Sequence, residues 1–346
     1  MTFVDGTPLN PAPTWTVTGD MVQTSGDVTM NDIDFIVDGS VAGTFTRVAC
    51  AWTSTTAFFI FRSNPTIDQG TGWTVDRLAV DDNGVFPPVN NSTTADKAFT
   101  VNKYLRLAAS LDANDPVAAT APWNLTLGDG ATIERQDDAA LLVQDANSGA
   151  SVNLFYSKDA GGITTSQEAD LTAIDELKTE VALDLSRDVT VNGELIIDQR
   201  NGIASGTIND NPGVPVYDLI MANNSQVRLV DVAGPAALIN GTILDPVGTL
   251  HVYYDNATGG PILTSDGELG TAANPFTTVN VTVDGSAAGP PSDDVQLHRN
   301  LTVNGTLLIN DDGDFDLNGA NTLTLAGAYT QTSTGAIVNN LGATTG

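Results

Sequence analysis

Cysteine is almost missing from this chain: Cys50 stands alone, which excludes an intrachain disulfide and leaves a small buried hydrophobe as its reading. Basic side chains are scarce too. Thirteen Lys and Arg face 42 Asp and Glu, for a formal net charge of -29. Phosphate contacts need Lys and Arg, so nucleic acid is excluded as a partner. There are two histidines, His251 and His298, set beside different strands. A two-histidine metal site would require them to meet with a carboxylate. No Gly-x-Ser-x-Gly elbow occurs and no histidine neighbours Cys50, so neither a serine nor a thiol nucleophile is legible. No apolar run is long enough for a membrane-spanning helix. Met1 to Asn10 has neither the basic nor the apolar stretch of a signal peptide.

Helical periodicity is sparse as well. Only Glu168 to Val181 shows it, with Leu171, Ile174, Leu177 and Val181 spaced for one helix face behind Ser166 as N-cap. That predicts one helix there.

What fills the chain is period-two alternation, rich in Val and Thr and broken by Gly, Asn and Asp. A short motif recurs: Val28-Thr29-Met30-Asn31, Phe99-Thr100-Val101-Asn102, Val189-Thr190-Val191-Asn192 and Leu301-Thr302-Val303-Asn304. In a strand its first and third residues share a face, which predicts Val101, Val191 and Val303 in the core. Gly193 and Gly305 follow the last two copies, and the Asn-Gly pair predicts a turn of the chain. The surroundings repeat too. Leu125-Thr126-Leu127 matches Leu219-Ile220-Met221 and Leu323-Thr324-Leu325; Phe155-Tyr156 before Gly161-Gly162 matches Tyr253-Tyr254 before Gly259-Gly260. The predicted organisation is an N-terminal β segment over 1–46 with one motif copy, then three β-repeats over 47–143, 144–243 and 244–346. Two all-β architectures suit such repeats: tandem parallel β-solenoid modules, or a string of antiparallel β-sandwiches.

The stretch Val252-Tyr253-Tyr254-Asp255, Gly259-Gly260, Asp266-Gly267, Asn274-Pro275-Phe276-Thr277-Thr278-Val279, Val283-Asp284 and Asp294-Val295 resembles the opening of right-handed parallel β-helix (pectin-lyase-like) surface and adhesin repeat proteins. The resemblance spans roughly fifty residues. It departs from that family at Val279 to Val283, which reads as a strand where the family has a helix, and at Asp293-Asp294. It implies a β-helix-like solenoid and favours the solenoid over the sandwiches. The family includes polysaccharide lyases, phage tail spikes and adhesins, so the fold does not choose a function.

Acid pairs for glycan hydrolysis would come from Asp81-Asp82, Asp137-Asp138 or Asp311 to Asp316. The basic residues that hold a polyanionic substrate are spread along the chain without a cluster. Asp314-Phe315-Asp316-Leu317-Asn318-Gly319 resembles the start of a calcium loop. Its twelfth position, Leu325, lacks the required Glu, which excludes an EF-hand and leaves a shorter structural Ca2+ turn over Asp312, Asp314, Asp316 and Asn318. Among the Asn-x-Ser/Thr sequons, Asn91 and Asn256 sit in polar loops and are the predicted glycan acceptors. No cofactor is required by any motif. The expectation is a non-catalytic structural or adhesive protein at the cell surface or outside the cell: part of a fibre, filament, sheath or adhesin stalk that self-associates through terminal β-strands. The alternative is a phage tail spike or fibre, on a virion, that binds a host glycan, with or without cleaving it.

Overall fold

The computed structural model describes residues 2–3, 14–18, 21–23, 26–31, 33–38, 44–47, 51–62, 66–69, 73–81, 89–90, 99–108, 111–112, 125–143, 151–157, 162–170, 173–199, 207–210, 217–230, 239, 244–256, 262–272, 275–276, 278–285, 295–311, 313–319, 321–332 and 335–338. Of these, 64% are strand and 4% helix. The chain forms two compact units: Met1–Asp159 with Ser166–Ala173, and Ala160–Thr165 with Ile174–Gly346.

Each unit is a parallel β-solenoid. In the first unit, strands Thr2–Phe3, Val28–Met30 and Ala51–Ser54, the front halves of Trp73–Asp81 and Phe99–Leu107, and Leu125–Leu127 stack into one ladder. A second ladder takes Thr14–Val17, Asp34–Asp38, Phe59–Arg62, the rear halves of the same two long strands, then Ala131–Arg135 and Val152–Tyr156. Shorter strands make a third face, in two groups: Met21–Gln23 with Thr44–Arg47 and Thr66–Gln69, and Val89–Asn90 with Leu111–Asp112 and Leu142–Val143.

The second unit follows the same plan. Its first face stacks the front of Val189–Asp198, Leu219–Met221 and Leu244–Pro246, and separately Leu301–Val303 on Leu323–Leu325. Its second face runs through Ile174–Thr179, the rear of Val189–Asp198, Ser225–Val230, Thr249–Asn256, Thr278–Gly285, Leu307–Asp311 and Tyr329–Gln331. Every one of these strand pairings is parallel. Antiparallel sandwiches are built from hairpins, so that alternative falls.

In-register stacking puts like on like. Val28, Trp52, Val75, Val101 and Leu127 follow one another down the interior, as do Leu177, Leu195, Val227, Val252, Val281 and Leu307 in the second unit; all are buried. Burying each such side chain stabilises by about 1.5–3 kcal/mol. In the first unit Phe35, Trp52, Phe59 and Phe61 pack edge-on and stacked at 4.7–5.4 Å. Val101, Val191 and Val303 are buried as expected. The motif's look-alikes prove to be the neighbouring rungs: Phe99 pairs with Leu125, Val189 with Leu219 and Leu301 with Leu323. Val279 to Val283 is strand, within Thr278–Gly285.

Two local expectations need correction. The predicted helix over Glu168 to Val181 is a single 3-10 turn, Gln167–Asp170, followed by strand Ile174–Thr179; Leu171 lies outside the described residues. The helix-like spacing of Ile174 and Leu177 comes from a register irregularity against Val189–Asp198, which turns both inward. The second correction concerns Asn192-Gly193, through which the strand continues, whereas at Asn304-Gly305 the chain bends as expected between Leu301–Val303 and Leu307–Asp311. Register shifts at this point and again beside Asn102, so the motif's Asn marks a bulge between two faces of one strand. Gly193 is needed because rungs approach closely there. A β-carbon on it would stand 2.5 Å from the Asp175 carbonyl oxygen.

Candidate functional surfaces

Many Asp and Asn side chains have a mechanical use. They accept from a backbone N–H in the following rung: Asp27 from Ala51 (2.9 Å), Asp34 from Phe58 (2.8 Å), Asp188 from Asp218 (2.9 Å), Asn280 from Thr306 (2.7 Å) and Asn300 from Thr322 (2.8 Å). Of the expected calcium residues, Asp314 shares this pattern. Asp314 accepts from the Ala336 N–H at 2.7 Å. Asp316 is buried and accepts from the Asn318 N–H at 2.9 Å, while Asn318 reaches the Leu297 carbonyl and adopts a left-handed φ of 51°. Asp312 lies outside the described residues, as do Asn91 and Asp82; for Asn256 the backbone alone is described, as the last residue of its strand. Among the described residues no group of three His, Cys, Asp or Glu side chains converges on a point. Asp81 is paired with Arg62 at 2.8 Å, and Asp137 accepts from the Ala139 N–H. The two histidines share no partner: His251 meets Asn280, whereas His298 bridges Thr264 (2.7 Å) and Asp266 (3.0 Å).

Two buried glutamates, one in each unit, sit in matching surroundings. In the first, Glu168 accepts from the Tyr156 hydroxyl at 3.1 Å, from the Ser166 N–H at 2.9 Å and from the Ser166 hydroxyl. In the second, Glu268 accepts from the Tyr254 hydroxyl at 3.1 Å, from the Ser265 N–H at 2.5 Å and from the Ser265 hydroxyl. Both acids are 1% exposed. They differ in one partner. Arg135, wholly buried, donates to Glu168 at 2.6 Å and is held by the Ala140 and Asp138 carbonyls. Arg135 pairs in register with Tyr156; the residue paired with Tyr254 is Leu229. Burial therefore pushes Glu268 up to about 7, against the pull of its hydrogen bonds. The repeated Tyr–Tyr and Gly–Gly neighbourhoods pointed toward this pair, but the acid at its centre was not recognised in the sequence.

The outer side of the second ladder in the first unit holds what the sequence did not reveal, a cluster of cations. Arg77 lies over the rings of Phe58 (4.6 Å) and Tyr104 (4.9 Å), and Arg106 lies over Phe58 at 4.4 Å. Phe58 and Tyr104 meet edge-on at 5.7 Å. Residues far apart in the chain meet because strand register pairs Arg77 with Tyr104. Burial draws the Arg77 guanidinium below its usual range.

The endmost described rungs form a third kind of surface. Trp15 pairs in register with the core residue Phe35, Tyr329 with Leu307 and Ile337 with Phe315. The three occupy core registers, yet are 50%, 42% and 37% exposed. No helix among the described residues is long and apolar enough to cross a membrane. No family model, curated protein or solved structure matches this chain.

Proposed function

We propose that this protein is a non-catalytic structural subunit of a surface or extracellular fibre, filament or sheath, joined end to end through its terminal rungs. The observation that carries this reading is the exposure of Trp15, Tyr329 and Ile337 at positions that are core in every inner rung. A parallel rung offers its backbone edge and its apolar side chains to the next rung in the same direction. Two ends of one chain are different surfaces, and a heterologous contact that does not close makes a filament.

Sedimentation velocity and electron microscopy of the full chain test this. The parent should form polymers that lengthen with concentration. Tyr329→Lys with Ile337→Lys should stop at single subunits while melting within a few degrees of the parent, because both residues are already part exposed. A parent that stays monomeric at high concentration would refute end-to-end assembly. A discrete trimer would favour the tail-spike alternative.

A further inference from the structure

We propose that the outer face of the first unit carries a binding site for a ligand carboxylate, held by Arg77 and Arg106 on a platform of Phe58 and Tyr104. The inference is independent of assembly. It rests on how charge is distributed over one small area. In this region each described carboxylate already has a partner. Asp34 accepts from the Phe58 N–H at 2.8 Å. Asp76 takes Lys103 at 2.8 Å, Asn102 at 3.0 Å and the Ser54 N–H at 3.0 Å. Asp81 takes Arg62. Glu134 takes Tyr104 at 3.0 Å, Gln136 at 2.7 Å and Ser157 at 2.6 Å.

The two guanidiniums do not share in this pairing. Among the described residues neither Arg77 nor Arg106 lies within ion-pair distance of a carboxylate. Arg77 makes one long bond, 3.4 Å to the Thr55 carbonyl. Asp34 and Asp76 act on these cations only at longer range, and in a chain of charge -29 two neighbouring guanidiniums with no carboxylate at ion-pair distance among the described residues are the least expected arrangement.

Ring stacking explains why the cations stay in place, since a cation over an aromatic face gains about 0.5–1 kcal/mol at an exposed site. Stacking engages the flat face of a guanidinium and leaves its N–H edge for an acceptor. That edge is a planar fork, which matches a planar carboxylate with two parallel bonds. The same charge of -29 disfavours a polyanion, because every further charge on the ligand meets long-range repulsion. The ligand is therefore an isolated carboxylate on an otherwise neutral body, such as a sugar acid or a simple organic acid.

The test is nuclear magnetic resonance of the arginine Nε–H signals in the full chain. Sodium acetate and sodium D-glucuronate are titrated separately, with sodium chloride at equal ionic strength as reference. The Arg77 and Arg106 signals should shift saturably with both acids and not with chloride. Tighter binding of glucuronate would assign the ring edges of Phe58 and Tyr104 to the sugar body; equal binding would assign recognition to the carboxylate alone. Read on the proton signals of the probes themselves, Arg77→Gln with Arg106→Gln should abolish binding of both probes. Arg77→Lys, which keeps the charge and loses the fork, should weaken it at least tenfold. Shifts no different from chloride in the parent, or saturable binding that survives in the double Gln chain, would overturn the site. Because the parent signals report binding directly, the outcome does not depend on whether a variant folds.

Discussion

At Glu168 and Glu268 the same side chain, in the same hydrogen-bonded setting, meets two electrostatic outcomes. The first has Arg135 at 2.6 Å; the second has Leu229 in the corresponding register. A buried pair gives little net stability, but breaking one by removing a partner is costly. Arg135→Leu copies the second unit's arrangement into the first and should destabilise by about 3–5 kcal/mol at neutral pH, because it leaves the Glu168 carboxylate buried without its cation. Denaturant unfolding at about pH 7 measures this. For Glu268 the folded value is raised to about 7 from an ordinary 4.5. A raised acid binds its proton more tightly when folded, so its stabilisation is full below the unfolded value and is lost as pH climbs through the folded one. Stability should fall by about 3 kcal/mol between pH 4.5 and pH 7 from this group alone. The charged groups around its segment do not supply Arg135's role: Arg299 and His298 are both engaged with the exposed Asp266. Glu268→Gln should flatten the pH dependence. An unfolding curve for this variant that keeps the parent's slope over that range would assign it to other groups.

At the scale of elements, strands were legible because alternation survives stacking. Val189-Thr190-Val191 reads as a strand alone and is one in the structure, with Val191 wholly buried and Thr190 exposed. Val191→Asp should therefore cost several kcal/mol, and Thr190→Asp much less; thermal melts of the two variants side by side check this. The spurious helix and the spurious turn share one cause. A bulge adds a residue to Val189–Asp198 between Val191 and Glu194, which gives its partner strand a three-residue spacing and puts Asn-Gly inside a continuous strand. Neither the alternation rule nor the turn rule registers a bulge, because it is defined by the neighbouring rung. The cation cluster was hidden for the same reason. Arg77 and Arg106 look isolated in the chain until register sets both over Phe58, and Arg77 over Tyr104 as well.

For the molecule as a whole, the question is what overcomes a charge of -29 if subunits are to meet. At about 0.01 M salt the Debye length is about 30 Å, and repulsion extends well beyond contact. Cations bridging acids, or apolar and backbone contacts between rungs, are the two ways to offset it. The corner acids favour the second. Asp27, Asp34, Asp188 and Asp314 spend oxygens on backbone N–H groups of adjacent rungs and need no cation to be satisfied there. The exposed residues in core registers at the ends are apolar: Trp15, Tyr329 and Ile337. Assembly should therefore strengthen as sodium chloride rises from about 0.01 to 0.5 M, because screening weakens repulsion and leaves apolar contact intact. A calcium chelator at constant ionic strength should leave polymer length unchanged. Sedimentation with and without chelator, across the salt series, separates the two causes. Polymers that disperse with chelator alone would make bridged acids the joint between subunits. Polymers that weaken as salt rises would show that attraction between unlike charges, such as an acid of one subunit on Arg77 and Arg106 of another, outweighs the apolar ends.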